Sequence, residues 1–311
     1  MIKVMITERN NLNENLLKKE FEIVNNPEEA DFLISQSTVM FPQYMHKTIY
    51  IAVEPPRTDH RIWAYGQFDR FHTVITHNPD ISKENQFPFT KDDCPQFYPT
   101  RADPYDFITR EDTTINNRGV FYAGMINIFE NGPNAHGGIN ITPLRKVLGN
   151  YFKNTEPFNK DTIVIGIGWD RQQTKVADWR KDKINRIVDS KCDFVLALEN
   201  TIFPNYLYEK IWDGFISDRV TMYLGDPRIE SHIPLNCFID LRKYFNVDTG
   251  EFNLDALGNY LKEMSQEEYN EIISNAREFR KTAEGKYIHY RDELTKFIIE
   301  RIKNGKRETN N

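Results

Sequence analysis

The sequence predicts an α/β protein built from two open, mostly parallel sheets. The chain has 311 residues, which is enough for two domains at about 150 residues each. Short β-branched, apolar runs alternate with helix-like patterns, an order typical of parallel sheets covered by helices. A stretch rich in Pro, Asp and Thr at residues 85–117 interrupts this alternation. We place the domain connection there, which divides the chain into residues 1–112 and 113–311.

The first series of elements opens with the apolar run IKVMI at residues 2–6, which predicts a strand. A helix-like pattern around Leu16, Leu17 and Phe21 follows it. A strand followed by a helix is the usual opening of an α/β domain. Further strands of this sheet are predicted at residues 32–34, 48–53 and 73–75.

The second series repeats this alternation. Its predicted strands are RGVFYAG at 118–124, TIVIGIG at 162–168, DFVLAL at 193–198 and VTMYLG at 220–225. Its predicted helices cover 142–152, 181–188 and the periodic residues from Leu207 to Ile216. An amphipathic stripe from Tyr287 to Ile302 predicts a final helix with a solvated charged face, suited either to dimer contacts or to docking across the domains.

The composition excludes several classes of protein. Lys and Arg number 40 against 46 Asp and Glu, a net charge of −6, which argues against a nucleic-acid binder. No apolar run reaches the roughly 18 residues of a membrane helix, and the first residues lack the apolar centre of a secretory signal. We therefore expect a protein that is cytoplasmic or peripheral to a membrane. The 3 cysteines are widely spaced and predict free thiols.

The residues after the DFVLAL strand carry the most informative functional pattern. Glu199 and Asn200 end a buried strand, and a helix begins shortly afterwards. Ligands of open α/β sheets bind at this edge, and a helix N-terminus there favours phosphate. Lys210 is expected close by. On helical spacing alone, Glu209, Lys210 and Asp213 share a polar face, and a surface ion pair between Lys210 and Asp213 is the simpler interpretation.

The order of residues in this segment also indicates a function. The text ENTIFPNYLYEKIWDGF, followed by a strand, a glycine, a proline and a Phe-Ile pair, resembles glycosyltransferase family 10, the α-1,3/α-1,4-fucosyltransferases. The family signature is matched in order and spacing by Glu199, Asn200, Tyr206, Glu209, Lys210 and Gly225. This sequence departs from it at Thr201 for Ser, Asn205 for Asp, Tyr208 for Thr and Thr221 for Pro, and Tyr208 enlarges a position beside the donor.

Two weaker matches extend the resemblance. The strand TIYIAV leads into Glu54 and two prolines, in the place of the family's Glu-Ser-Pro, whose Glu is the proposed general base. A carboxylate near an acceptor hydroxyl can take its proton as the glycosidic bond forms. The helix PLRKVLGNYF puts Arg145 in the place of the family's phosphate-binding arginine, which offers paired donors in one plane. Without the resemblance, Glu54 is a loop carboxylate and Arg145 a helix-surface residue.

The resemblance implies a fold and a reaction. The fold is the GT-B arrangement, two Rossmann-like domains facing a central cleft, with the acceptor bound by the first and the nucleotide-sugar by the second. The reaction is transfer of L-fucose from GDP-β-L-fucose to a hydroxyl of a GlcNAc or glucose unit in a glycan, with inversion at the anomeric carbon.

The resemblance also implies a role for each matched side chain of the second domain. Arg145 and Lys210 would neutralise the departing pyrophosphate, so that no cofactor and no divalent metal are required. Glu209 would accept hydrogen bonds from ribose hydroxyls. Asn200 and Tyr206 would shape the pocket for the sugar and the phosphates.

Two alternatives stay open. Another GT-B glycosyltransferase would use a different nucleotide-sugar, and a non-catalytic glycan-binding protein of this fold would bind glycan without turning over a donor. The segment at residues 123–138, rich in Gly and Asn, fits either a flap over the donor or an uninvolved insertion. A nicotinamide enzyme is not indicated, because Gly166 and Gly168 lack the third glycine of a dinucleotide fingerprint. The scattered histidines do not predict a metal site.

Overall fold

A computed structural model describes most of the chain. The described residues are 1–7, 12–36, 39–52, 64–76, 85–88, 108–124, 137–166, 168–169, 179–282 and 290–308. Glu54, Cys94 and the centre of the predicted flap segment lie outside the described residues. None of the described helices combines the length and the apolar character that crossing a bilayer requires.

The first sheet contains six parallel strands. They are β1 (Lys3–Ile6), β2 (Glu22–Ile23), β3 (Phe32–Gln36), β4 (Thr48–Ile51), β5 (Thr73–Thr76) and β6 (Gln86–Pro88). Their spatial order is β2-β1-β3-β4-β5-β6, and all pairs are parallel. The predicted strands are confirmed. The edge strand β6 lies inside the stretch predicted as the domain connection, and its Pro88 suits an edge position because proline cannot donate to a ladder.

The second sheet contains five parallel strands. They are β7 (Val120–Ala123), β9 (Ile163–Ile165), β10 (Phe194–Leu198), β12 (Val220–Leu224) and β13 (Ile239–Asp240). Their spatial order is β13-β12-β10-β7-β9. This is a doubly wound arrangement whose strand order reverses between β7 and β10. Two short antiparallel pairs join β8 (Ile139–Asn140) to β11 (Thr201–Ile202) and β14 (Phe245–Asn246) to β15 (Glu251–Phe252).

Helices cover both faces of the second sheet. The described helices are α1 (Glu14–Glu20), α2 (Thr142–Asn154), α3 (Trp179–Asp189), α4 (Glu209–Ile216), α5 (Leu254–Glu263), α6 (Gln266–Phe279) and α7 (Tyr290–Glu308). Leu148 of α2 packs on the face of the sheet that carries Leu196. Ile211 of α4 packs on the opposite face, with Ala197. Helices on both sides confirm the predicted α/β class with parallel sheets.

The last helix, α7, packs on the first sheet. Leu294, Ile298 and Ile302 are fully buried in the same apolar cluster as β1 and α1. The side chain of Asn13 caps α1, and its Nδ2 donates to Asp292 at the start of α7, 2.7 Å away. The structure therefore shows the C-terminal helix α7 docked against the first layer, which is one of the two arrangements that the sequence leaves open. The domain boundary between residues 112 and 113 stays a proposal.

We expect Ile298→Ala to lower the free energy of unfolding by about 2–5 kcal/mol, because the substitution leaves a cavity between α7 and the first sheet. Urea unfolding followed by circular dichroism measures this. The matched control is Lys296→Ala on the same helix, whose side chain is 58% exposed and forms a surface pair with Glu293. The control should stay within about 0.5 kcal/mol of the parent protein. Equal stability of the two variants would mean that α7 does not pack there in solution.

Candidate functional site

The candidate site lies at the carboxyl ends of β7 and β10, where the strand order of the second sheet reverses. The connections leave these two strands in opposite directions, which opens a crevice at such a point in doubly wound sheets. Gly124 follows β7, while Glu199 and Asn200 follow β10. Side chains from the first turns of α2 and α4, Arg145 and Lys210, both reach this edge.

Glu199 is a fully buried carboxylate that joins the end of β10 to the start of α4. Its Oε1 accepts a hydrogen bond from the backbone N–H of Tyr208 at 2.9 Å, and its Oε2 accepts one from Lys210 Nζ at 2.7 Å. Tyr208 is the N-cap residue of α4, so Glu199 satisfies a backbone donor that the helix leaves unpaired. A Cβ on Gly225 would lie 2.4 Å from Glu199 Cγ, so only glycine fits beside this side chain.

Lys210 is a cation held in place by two carboxylates. Burial favours its neutral form, but the attraction of Glu199 and Glu209 outweighs burial and raises the pKa of Lys210 above its ordinary value. Lys210 Nζ lies 3.6 Å from Glu209 Oε1, and the Lys210 side chain is 18% exposed. Part of the Lys210 side chain therefore remains at the surface.

The predicted surface pair between Lys210 and Asp213 is wrong. Asp213 is 2% exposed and pairs with Lys183 of α3, which covers this side of α4. Lys210 instead faces the strand end and Glu199. Helical spacing shows which residues share a face of α4, but it carries no information about α3, which reaches α4 only through the tertiary fold.

Arg145 is buried at the same strand end, which overturns the helix-surface interpretation. It is 4% exposed, and its guanidinium donates to the backbone carbonyl of Glu199 at 3.3 Å and to the side-chain oxygen of Asn200. Asn200 Nδ2 in turn donates to Tyr206 Oη at 3.0 Å. The structure thus brings together Arg145, Asn200, Tyr206, Glu209 and Lys210, all five residues that the sequence assigned to donor binding. Their roles stay predictions.

The segment between Asn200 and α4 inserts into the core of the first sheet. Phe203, Tyr206 and Tyr208 belong to the same apolar cluster as the strands β1 to β5. The rings of Tyr206 and Tyr208 lie 4.7 Å apart, so the enlarged side chain at position 208 packs within this core. Asn205 adopts φ +57°, a conformation that asparagine tolerates better than most residues. The departures from the signature at 205 and 208 are therefore accommodated locally.

Other predicted features of the site have these outcomes. Cys192 and Cys237 are buried free thiols, as predicted. Within the part of the chain that the structure describes, no group of three or more His, Cys, Asp or Glu side chains is placed to hold a metal ion. Sequence reasoning missed Tyr122 and Trp169 at this edge of the sheet, since neither belongs to a recognisable motif.

Part of the chain matches the model of a known protein family. Residues 164–290 match the family model described as Glycosyltransferase family 10 (fucosyltransferase) C-term. The human protein named 4-galactosyl-N-acetylglucosaminide 3-alpha-L-fucosyltransferase 9 is 33% identical over 79 residues, and its mouse counterpart is 34% identical over 80 residues. These matches cover 25% of this chain and only 20% of the relatives' own length. The chain thus spans about a fifth of the curated relatives it matches.

Solved structures match over nearly the whole chain. A crystal structure described as alpha1,3-fucosyltransferase with GDP aligns with a TM-score of 0.58 and 16% identity, covering 98% of this chain and 89% of that chain. A second one, with GDP-fucose, gives a TM-score of 0.55 with 16% identity, 98% coverage of this chain and 90% of the other. At this level of identity the likeness establishes the fold, which is the predicted GT-B arrangement.

We expect Lys210→Ala to destabilise the protein by about 3–5 kcal/mol at neutral pH, because it leaves Glu199 buried without its counter-charge. A buried carboxyl group without a counter-charge has a raised pKa in the folded state. The folded state therefore binds more protons than the unfolded state. The loss of stability should therefore grow as the pH rises from 5 to 8. Thermal unfolding of both proteins at these two pH values measures it.

The matched control removes both charges together. Glu199→Gln combined with Lys210→Met keeps the volume of the pair, and its stability should depend on pH no more than that of the parent protein. If Lys210→Ala unfolds at the parent temperature at both pH values, the two side chains do not form the buried pair.

Proposed function

We propose that this protein, whose residues 164–290 match the model of glycosyltransferase family 10, transfers L-fucose from GDP-β-L-fucose to a hydroxyl of a GlcNAc or glucose unit in a glycan. The observation that carries the proposal is the convergence of Arg145 and Lys210 on the reversal point of the second sheet. Two cations at the carboxyl edge of a doubly wound sheet favour a ligand with a diphosphate.

The chemistry of the transfer uses these cations in the step that breaks the donor bond. As the bond between the anomeric carbon and the phosphate oxygen breaks, its electron pair stays on GDP and the charge of the diphosphate grows. Arg145 and Lys210 are already fixed by Asn200 and Glu199, so they can stabilise that charge without rearranging. This supports a reaction that requires neither a cofactor nor a divalent metal.

The remaining side chains of the site fit the other parts of the donor. Glu209 is the first residue of α4 and lies beside Lys210, so its carboxylate can accept hydrogen bonds from ribose hydroxyls. Asn200 and Tyr206, joined by a hydrogen bond, line the strand end on the side of the first sheet. We assign them to the walls of the pocket that holds the sugar and the phosphates.

The acceptor half of the reaction rests on Glu54. By resemblance, its carboxylate takes the proton of the acceptor hydroxyl as that oxygen bonds to the anomeric carbon on the face opposite to the leaving GDP, which inverts the configuration. The match of Glu199, Glu209 and Lys210 to the charged positions of the family signature favours an enzyme over a non-catalytic glycan-binding protein. A glycosyltransferase with another nucleotide-sugar would share the same cations and differ in base recognition.

Calorimetric titration of the purified protein with GDP, UDP and CMP tests the donor. We expect GDP to bind at least tenfold more tightly than UDP or CMP, because a guanine-specific pocket forms hydrogen bonds that the pyrimidines cannot replace. Preferred binding of UDP would redirect the proposal to another nucleotide-sugar. The absence of any nucleotide binding would refute it.

Glu54→Gln tests the acceptor half with the same protein. The amide cannot accept the proton, so the rate of fucose transfer from GDP-fucose to an N-acetyllactosamine acceptor should fall about 10²–10⁴-fold. GDP affinity should remain at the parental value and serves as the internal control. Transfer at the parental rate would remove Glu54 from the mechanism and leave the donor assignment intact.

A further inference from the structure

Two buried hydrogen-bond donors at the carboxyl edge of the second sheet take no part in the donor contacts proposed above. Tyr122 lies on β7 and is 2% exposed. Its Oη, and the indole Nε1 of Trp169 after β9, are both buried and have no hydrogen-bond partner among the residues that the structure describes. A buried donor without a partner costs about 1–3 kcal/mol, and native proteins contain few of them. Two such donors at one edge therefore call for an explanation.

Contacts with two glycines locate the Tyr122 hydroxyl and the Trp169 ring at this edge of the sheet. A Cβ on Gly124 would lie 2.2 Å from Tyr122 Oη, so this hydroxyl stands over the first residue after β7. The ring of Trp169 meets the ring of Tyr122 edge-on, with 6.4 Å between the ring centroids. The same indole fills the space over Gly149 of α2, where a Cβ would be 2.7 Å from it. Gly149 lies one helical turn after Arg145, so the indole and the guanidinium share one face of α2.

The phenol of Tyr122 is a hydrogen-bond donor at neutral pH. Burial raises the pKa of Tyr122 to about 12, while the positive charges of Arg145 and Lys210 act to lower it. The guanidinium, the ammonium and the indole can only donate, and the phenol donates readily because it stays protonated.

We propose that Tyr122, together with Trp169, donates hydrogen bonds to phosphate oxygens of the nucleoside diphosphate part of the donor. A phosphate oxygen accepts several hydrogen bonds and carries the charge that Arg145 and Lys210 complement. A set of donors therefore fits a phosphate better than it fits a sugar hydroxyl, which must also donate. The inference rests on the proposed function, because it assumes that a nucleoside diphosphate binds at this edge.

The test is calorimetric titration of the full chain with GDP, comparing the parent protein with Tyr122→Phe and Trp169→Phe. Tyr122→Phe removes one oxygen atom and should weaken GDP binding about tenfold, the value of a hydrogen bond to a charged group. Its unfolding temperature should stay equal or rise, because the lost hydroxyl has no hydrogen-bond partner within the described part of the chain. Trp169→Phe should also weaken GDP binding.

Tyr269→Phe is the matched control. Tyr269 is fully buried in the same domain, but its Oη donates to the backbone carbonyl of Asp193 at 2.8 Å, just before β10 begins and so at the opposite edge of the sheet. This variant should lower the unfolding temperature and leave GDP affinity within twofold of the parent value.

The outcomes separate the inference from the proposed function. Parental GDP affinity in Tyr122→Phe overturns the inference and leaves the proposed function standing. A parent protein that does not bind GDP overturns both. If Tyr122→Phe lowers the unfolding temperature as far as Tyr269→Phe does, the hydroxyl has a structural partner and the inference also fails.

Discussion

The ion pair between Glu199 and Lys210 is the interaction on which the rest of the site depends. It ties the end of a buried strand to the first turn of the next helix, and the same carboxylate accepts the N–H of Tyr208. A buried carboxylate is costly unless it is paired and hydrogen-bonded, so the three groups must stay together for the fold to be stable. This requirement fixes the Lys210 ammonium at the sheet edge before any ligand arrives. At the proposed donor site, such an arrangement would let an anion bind with little reorganisation of the protein.

The same strand end links the two layers of the protein. Immediately after Asn200 the chain enters the core of the first sheet through Phe203, Tyr206 and Tyr208, and it returns to begin α4 at Glu209. The side chains of the proposed donor site are thus positioned by both layers at once. The last helix adds a second link, since it follows the second layer in the chain and packs on the first. A ligand at the proposed donor site would therefore contact a segment whose packing depends on the first layer.

The sequence predicts the regular elements well because their buried residues recur with clear periods. The short strands β2 and β6 were missed, because their two or three residues do not lie in a longer apolar run of the kind that reveals β9. The donor-site residues are also predictable, because Asn200, Glu209 and Lys210 lie within a single motif. Contacts between distant segments cannot be predicted in this way. The pairing of Asp213 with Lys183 and the burial of Arg145 follow from how α2, α3 and α4 pack around the sheet.

A crystal structure of the protein with bound GDP tests the central claim most directly. We predict that the diphosphate lies at the carboxyl ends of β7 and β10, within hydrogen-bonding distance of Arg145 and Lys210, and that the Glu199–Lys210 pair is retained. A diphosphate bound at the first sheet, or one at the second sheet that contacts neither cation, would contradict it.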